Sequence, residues 1–309
     1  MKTLIKRVLD TSLVPIRAYL LEKVPARQME LPRPVYEIER EAVRQSVAMR
    51  TPDNPCLKGF KAFSQNDEDG ILQEIFRRIA VAQPLNKTFI EIGCGNGLEN
   101  NSHYLLLEGF KGCWVDGDAQ NLEFIRAKLG ALEFPRLRVQ QCFIDLTNIG
   151  QLISSQVEFL GTREPDLFSL DIDGNDLWIL LEALRHFEPK VICVEYNPKF
   201  PPPLAVTITY NPSHTWRHDD YHGASLQAFR DGLPAYRLVC CNLCGVNAFF
   251  VRKDLASGFA DSECSDLYQP FREHLTTPVS GHCPSLKWLR DSLLSPRSGA
   301  TVAHAVPAR

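Results

Sequence analysis

Residues 88–97 read Thr-Phe-Ile-Glu-Ile-Gly-Cys-Gly-Asn-Gly, a short apolar strand running into a loop with glycines at 93, 95 and 97. A second apolar run, Gly112-Cys113-Trp114-Val115, follows and ends in Asp116. Glycine lets such a loop turn sharply and lets a ligand lie against bare backbone. An acid that closes the next strand can accept hydrogen bonds from ribose hydroxyls, and Asp116 stands at the spacing of about 20 residues typical of dinucleotide folds. The spelling departs from G-x-G-x-x-G at the third glycine, where helix and strand pack closely. That departure disfavours an NAD-dependent enzyme and points to a different nucleotide-bearing cofactor.

Outward from this loop, apolar strands alternate with helical segments. Strands are expected at 88–92, 112–116, 137–143, 166–171 and 190–195, and helices at 100–108, 119–130, 147–159 and 176–186. Each strand is a near-continuous apolar run, as required when both sheet faces are covered. Such alternation implies an α/β fold with a parallel sheet and right-handed crossovers. After Glu195 the pattern changes. Residues 196–222 form a polar insertion, Pro-rich at 198–203, which reads as a cap over the sheet and not as a strand. A helix at 223–231 and an antiparallel hairpin, 236–241 with 246–252, close the domain. Upstream, Ser64 is placed to cap a helix, with Asp67, Glu68 and Asp69 at its positive end. Ile71, Leu72, Ile75, Phe76 and Ile79 form its apolar face. The chain divides into a proline-broken helical extension (1–60), the main domain (61–256) and an irregular segment (257–309). The tail of that segment, 295–309, is rich in Ser, Ala, Pro and Arg and is expected to be disordered.

A length of 309 residues suits one large domain with appendages, and a net charge of -3 gives no general argument for nucleic acid as partner. Many of the ten cysteines, among them Cys113, Cys142, Cys193 and Cys240, fall inside expected core strands. Buried thiols there fit a reducing, cytoplasmic setting. Cys241 and Cys244 have metal-ligand spacing, but no second Cys or His pair is placed to complete a tetrahedral site, so a hairpin turn is favoured over zinc. No run approaches the ~18 apolar residues of a membrane span. Met1 to Val24 reads as an amphipathic helix interrupted near Pro15. It suits packing on the domain or on a partner, with peripheral contact to an anionic membrane surface as the other reading.

The second chemical constellation is Ser169-Leu170-Asp171-Ile172-Asp173-Gly174-Asn175-Asp176, at the carboxyl end of the fourth strand. Ligands of open α/β sheets bind there. The next strand ends in Glu195-Tyr196-Asn197, and adjacent strand ends lie about 5 Å apart. Asp171, Asp173, Glu195 and Asn197 could therefore converge on a hard divalent ion such as magnesium. The competing reading has Asp173 and Asp176 capping the next helix and Asp171 bonding loop backbone. The insertion carries His214, His218, Asp219, Asp220, Tyr221 and His222. Histidines such as His218 and His222 can take a proton from a substrate hydroxyl, or they are solvated loop residues. Gly223-Ala224-Ser225 then opens a helix whose free N–H groups could face an anionic substrate.

These motifs together resemble the FkbM-type branch of S-adenosylmethionine (SAM)-dependent methyltransferases. The resemblance rests on Ser64-Gln65 with Glu68-Asp69-Gly70, Glu91-Ile92-Gly93, Trp114-Val115-Asp116, Asp171-Ile172-Asp173-Gly174 and the stretch Gly245 to Arg252, spanning roughly three-fifths of the chain. It implies a Rossmann-like class I methyltransferase fold, SAM as cofactor, and O-methylation of a saccharide or similar polar metabolite. Position by position it implies that Glu91, Gly93 and Gly95 line the methionine end, with Asp116 at the ribose and Asp145 near the adenine; Gly97 belongs to the same cofactor-binding loop. The chain departs from the family pattern in having Asp116-Gly117 in place of Glu-Pro, and Asp171-Ile172-Asp173-Gly174 in place of Asp-Val-Glu-Gly. The insertion at 196–222 is also distinctive. These departures bear on the acceptor more than on the cofactor. The alternative function is a non-catalytic methyltransferase-like module in a polysaccharide-assembly system.

Overall fold

The computed structural model describes residues 33–272, 275 and 283–294. The sequence-based expectations for Met1–Val24 and for the 295–309 tail lie outside these residues.

Seven strands form one sheet: β1 (Thr88–Ile92), β2 (Lys111–Asp116), β3 (Leu137–Gln141), β4 (Leu167–Leu170), β5 (Val191–Glu195), β6 (Tyr236–Cys241) and β7 (Asn247–Arg252). Their order is β3-β2-β1-β4-β5-β7-β6. β1 to β5 run parallel, and β7 joins β5 antiparallel. This is the expected Rossmann-like arrangement, a mainly parallel sheet closed by an antiparallel hairpin.

Strand residues alternate between two cores. Phe89, Trp114, Leu167, Val191 and Phe249 face one. Ile90, Val115, Phe168, Ile192 and Phe250 face the other. The first face is covered by α2 (Glu68–Ala82), α3 (His103–Leu107) and α4 (Ala119–Leu129), through residues such as Ile75, Leu106 and Ile125. The second is covered by α5 (Ile149–Leu160), α6 (Asp176–Ala183) and α7 (Leu226–Gly232), through Ile153, Leu180 and Phe229. Burial on both faces is why each strand reads as an apolar run rather than an alternating one.

Several expected boundaries shift for physical reasons. β3 stops at Gln141, not 143, because its only partner, β2, ends at Asp116, which pairs with Gln141. The helix expected at 100–108 is confined to α3, because residues 100–102 are tied to the Glu91 side chain. Ser64 caps α2 from outside the N-cap position, which Asp67 holds without a side-chain cap bond. Its Oγ accepts the Asp69 N–H at 3.2 Å, while Asp69 Oδ2 accepts the N–H groups of Ala62, Phe63 and Ser64. The expected proline-broken extension contains an 18-residue helix, α1 (Arg33–Arg50), which buries Val47 in the first core.

The segment after 256 is more regular than expected. α8 (Cys264–Leu267) places Cys264 and Leu267 in the second core. α9 (Lys287–Leu294) sends Leu289 and Leu293 into the first, and Arg136 donates to the Ser292 carbonyl at 2.9 Å. Helices of four and eight residues carry too little periodicity to stand out in a Ser- and Pro-rich stretch. The Cys241–Cys244 stretch forms the β6–β7 turn, where Asn242 Oδ1 accepts from the N–H groups of Val246 and Asn247. Glu68 locks this hairpin to α2 by accepting from the Asn242 and Asn247 side chains.

At the amino end of the sheet, Lys190 Nζ donates to Asp166 Oδ1 at 2.8 Å, with both side chains fully buried. It also donates to the Pro84 carbonyl, and Asp166 accepts the N–H groups of Asn86 and Thr88. Lys190→Met strands a buried carboxylate and is expected to cost about 3–5 kcal/mol. Urea unfolding checks this; a loss below about 1 kcal/mol, the scale of an exposed pair, would contradict it.

Candidate functional site

The strand order reverses between β1 and β4, and the loops leaving these strands meet at their carboxyl ends. Gly93 has φ +85°, and its N–H donates to the Val115 carbonyl at 2.8 Å. A Cβ on Gly93 would lie 1.6 Å from the Asp171 carbonyl oxygen, so the two loops touch through backbone alone. Gly97 is used differently, since its Cβ would stand 2.7 Å from the Trp114 ring. Gly95, with φ +55°, has no atom within 4 Å of its Cβ position. Of the three glycines read as cofactor-lining, Gly95 presents the open space. Gly93 and Gly97 create the close contacts that shape it.

Two carboxylates fix this loop. Asp116 Oδ2 accepts the Gly95 N–H at 2.8 Å, and Oδ1 accepts the Asp118 N–H and the Asn121 side chain. Each carboxylate oxygen has about two acceptor sites. Asp116 therefore anchors the loop and keeps a single acceptor site, on Oδ2. Glu91 is buried beneath the loop. It accepts from Asn100 Nδ2, the N–H groups of Asn101 and Ser102, and the Ser102 hydroxyl. Burial lifts its carboxyl to about 7, against the pull of those donors. Glu91 thus organises residues 100–102 from below, with the Asn101 N–H on Oε1 and the other three donors on Oε2.

Asp145 closes a tight turn after β3, accepting from the Thr147 N–H and hydroxyl and from the Asn148 N–H. Its hydrogen bonds with Thr147 hold its carboxyl below the usual range. Phe143, which the sequence reading placed inside a strand, stands 53% exposed, and a Cβ on Gly117 would meet its ring at 3.3 Å. Its apolar character in the sequence concealed this exposed aromatic at the carboxyl ends of β2 and β3.

Beside the glycine loop, Asp171, Asp173 and Glu195 each offer an oxygen, all within 4.8 Å of one another. The pairing of Leu170 with Val194 carries Asp171 level with Glu195. Burial raises the Asp171 carboxyl well above its usual range, and the charges of Asp176, Asp173 and Glu91 add to it. Burial likewise raises Glu195, with Asp171, Asp176 and Asp173 adding. Asp173, at φ +53°, is raised by burial against the pull of His222, His218 and His214. Asp176 opens α6 but does not cap it: its carboxylate accepts the Ile172 and Gly174 N–H groups of the preceding loop, the backbone-bonding role the alternative reading gave to Asp171. Asn197 is engaged by the insertion. Its Nδ2 donates to the carbonyls of Asp220 and His222, and its Oδ1 accepts the Lys199 N–H. It holds the insertion in place.

The insertion adds only an isolated bridge, Thr207 to Ala224, and no strand to the sheet. It crosses the carboxyl ends. Tyr210 Oη accepts the Leu146 N–H, Asn211 exchanges two hydrogen bonds with Asn175, and the Gly223 N–H donates to the Gly174 carbonyl. His222 Nδ1 comes within 3.9 Å of Glu195 Oε2. Burial lowers the His222 pKa, opposed by Asp173, Asp219 and Asp220. The His214 ring lies over Gly174, where a Cβ would be 2.3 Å away. His218 stands back, its ring 4.6 Å from Trp216. The sequence reading did not single out His103. Fully buried, it bonds the Gly97 carbonyl through Nδ1 at 2.8 Å, and burial lowers its pKa to about 4.

No family model matches the chain, and no curated protein matches it. Among solved structures it is similar to an O-methyltransferase from Bacillus cereus in complex with SAH, at 14% identity over 79% of this chain and 99% of that one, TM-score 0.36. It is also similar to a methyltransferase from Geobacter sulfurreducens, at 14% identity over 77% and 95%, TM-score 0.35. A third is the N-terminal domain of EvdMO1 with SAH bound, at 12% identity over 69% and 94%, TM-score 0.35. No helix among the described residues is long and apolar enough to cross a membrane.

Glu91 gives the fold a pH signature. Its folded pKa of about 7 lies above the ordinary 4.5, so its contribution is fully present below pH 4.5 and is lost as pH rises through 7. That loss is on the order of 3 kcal/mol. Glu91→Gln should flatten this part of the stability profile between pH 5 and 8, read by urea unfolding. An unchanged slope in the variant would count against the assignment.

Proposed function

We propose that this chain is a SAM-dependent methyltransferase of the FkbM type, transferring a methyl group to a hydroxyl of a saccharide or similar polar metabolite in the cytoplasm. The observation that carries the reading is the adjacency, at the point of strand reversal, of the open Gly95 cradle and the Asp171, Asp173 and Glu195 cluster. Gly95 offers bare backbone, Asp116 keeps one acceptor site, and Phe143 offers an exposed aromatic face, which together fit a nucleoside with a methionine tail. The crowded carboxylates fit the sulfonium and ammonium charges of that cofactor.

SAM, when bound, supplies an electrophilic methyl on sulfur. The chain's residues then hold the acceptor in line, exclude water and remove its proton. In-line positioning supplies much of the rate. The hydroxyl proton passes to the Asp171–Glu195 pair or to His222 beside it. His218 is 4.6 Å from Trp216 at the rim of the cap, a placement that suits acceptor binding. Asp171, Asp173 and Glu195 are an all-oxygen donor set suited to magnesium, which would lower the acceptor's pKa.

Gly95→Ala adds a methyl group where the fold leaves space, at about 1–2 kcal/mol for a left-handed alanine. Calorimetric titration should show SAM affinity reduced by at least about tenfold, the equivalent of about 1.4 kcal/mol, with the fold retained. Undiminished binding would contradict the cofactor site. A methyl-release assay then separates catalysis from simple binding: a chain that binds SAM and never transfers methyl is the non-catalytic module.

Chelation distinguishes the two proton routes. If magnesium is held by the carboxylates, a chelator abolishes turnover and magnesium restores it. If His222 is the base, activity resists chelation, rises with pH through a midpoint below 6.5, and is lost in His222→Ala. Chelator-resistant turnover in Asp171→Ala and in His222→Ala would overturn both routes.

A further inference from the structure

The cap carries an exposed aromatic side chain that the scheme above does not use. Trp216 is 39% exposed, yet its indole is held: Nε1 donates to the Asp219 carbonyl at 2.7 Å. Its ring centroid lies 4.6 Å from that of His218 and 5.6 Å from that of His222. His222 in turn is 3.9 Å from Glu195. Trp216 therefore sits one side chain away from the carboxylate cluster. Tyr221, 52% exposed, is tied to the same Asp219 through its N–H, and its hydroxyl accepts the Thr209 N–H.

We infer that Trp216 is the platform on which a pyranose ring of the acceptor stacks, with the imidazoles of His218 and His222 meeting the hydroxyls at its edge. The placement beside the methyl-transfer centre rests on the function proposed above; the choice of ligand rests on the cap itself. An indole fixed by a hydrogen bond loses little freedom when a ligand covers it. A pyranose has a C–H face that prefers an aromatic surface and a rim of hydroxyls that needs donors and acceptors, which imidazole supplies. Beside the ring, Asp220 is paired with Lys199, and Asp219, whose Oδ1 accepts the Tyr221 N–H, keeps Oδ2 as an acceptor for a sugar hydroxyl.

The test is saturation-transfer NMR on the full chain, with and without SAH, using methyl glycosides of glucose, galactose, mannose and rhamnose as probes. Tetramethylammonium and phenol serve as competing ligand classes. Saturation is expected on the C–H protons of one pyranose face. Trp216→Ala should weaken this contact on the order of tenfold, while Trp216→Phe, which keeps a ring and loses the Nε1 donor, should retain most of it. Calorimetry with SAH on the same proteins should show unchanged cofactor affinity, which confirms that Trp216→Ala remains folded. Equal saturation in Trp216→Ala and the unaltered chain overturns the platform. So does the absence of pyranoside contact in the unaltered chain, whichever competing ligand binds. Pyranoside contact that depends on Trp216 in a chain unable to bind SAH would uphold the platform and overturn the cofactor reading instead.

Discussion

The site depends on one backbone contact, the approach of Gly93 to the Asp171 carbonyl where the strand order reverses. Loops leaving β1 and β4 must diverge, because the chain runs toward β2 and β3 on one side and toward β5 on the other. They can still touch at their roots only if one lacks a side chain. With Gly93 in the left-handed region and no Cβ, the β1 loop lies flat on the β4 loop. The space in front of Gly95 is what remains. Glu91 tightens this from below by binding residues 100–102, and Asp116 tightens it from the side by binding the Gly95 N–H.

The acids of this protein fall into two groups that differ in what surrounds them. Asp166, at the amino end of the sheet, has a buried lysine and two backbone N–H donors. Glu91, Asp69 and Asp176 accept from several donors each. Asp171 and Glu195, at the carboxyl end, are half-buried with far less. The Asp173 backbone N–H opposes the rise at Asp171, and His222 stands 3.9 Å from Glu195. Crowded carboxyls without a fixed cation favour a shared proton or an external positive charge. A structural acid gains from permanent partners; a group that must receive a proton or meet a cationic ligand gains from their absence.

The cap belongs to the same electrostatic unit. It is tied to the sheet by neutral contacts, Asn211 with Asn175, Tyr210 with Leu146, and Gly223 with Gly174. Those contacts leave its histidines directed at Asp173 and Glu195. Gly174 matters here for its missing side chain, since His214 occupies that volume. The Asp171–Gly174 segment therefore serves the sheet, the acid cluster and the cap at once.

Much of this was legible in the sequence because it is local. Both-face burial makes β1, β2, β4 and β5 continuous apolar runs, and the loop glycines, Asp116 and the two acid-bearing strand ends stand out for the same reason. Other features were decided only by tertiary structure. The roles of Gly93, Gly95 and Gly97 diverge because different neighbours, Asp171, open space and Trp114, come to each. The insertion folds back onto the Asn197 amide, which its place at a strand end did not announce. Residues 100–102 come to Glu91 from beyond the glycine loop and take up most of its acceptor capacity. Sequence spacing determines which backbone a residue sits on. Which hydrogen-bonding and packing capacity remains unspent for a ligand is settled by groups distant in the chain, so it emerges only when the chain is folded.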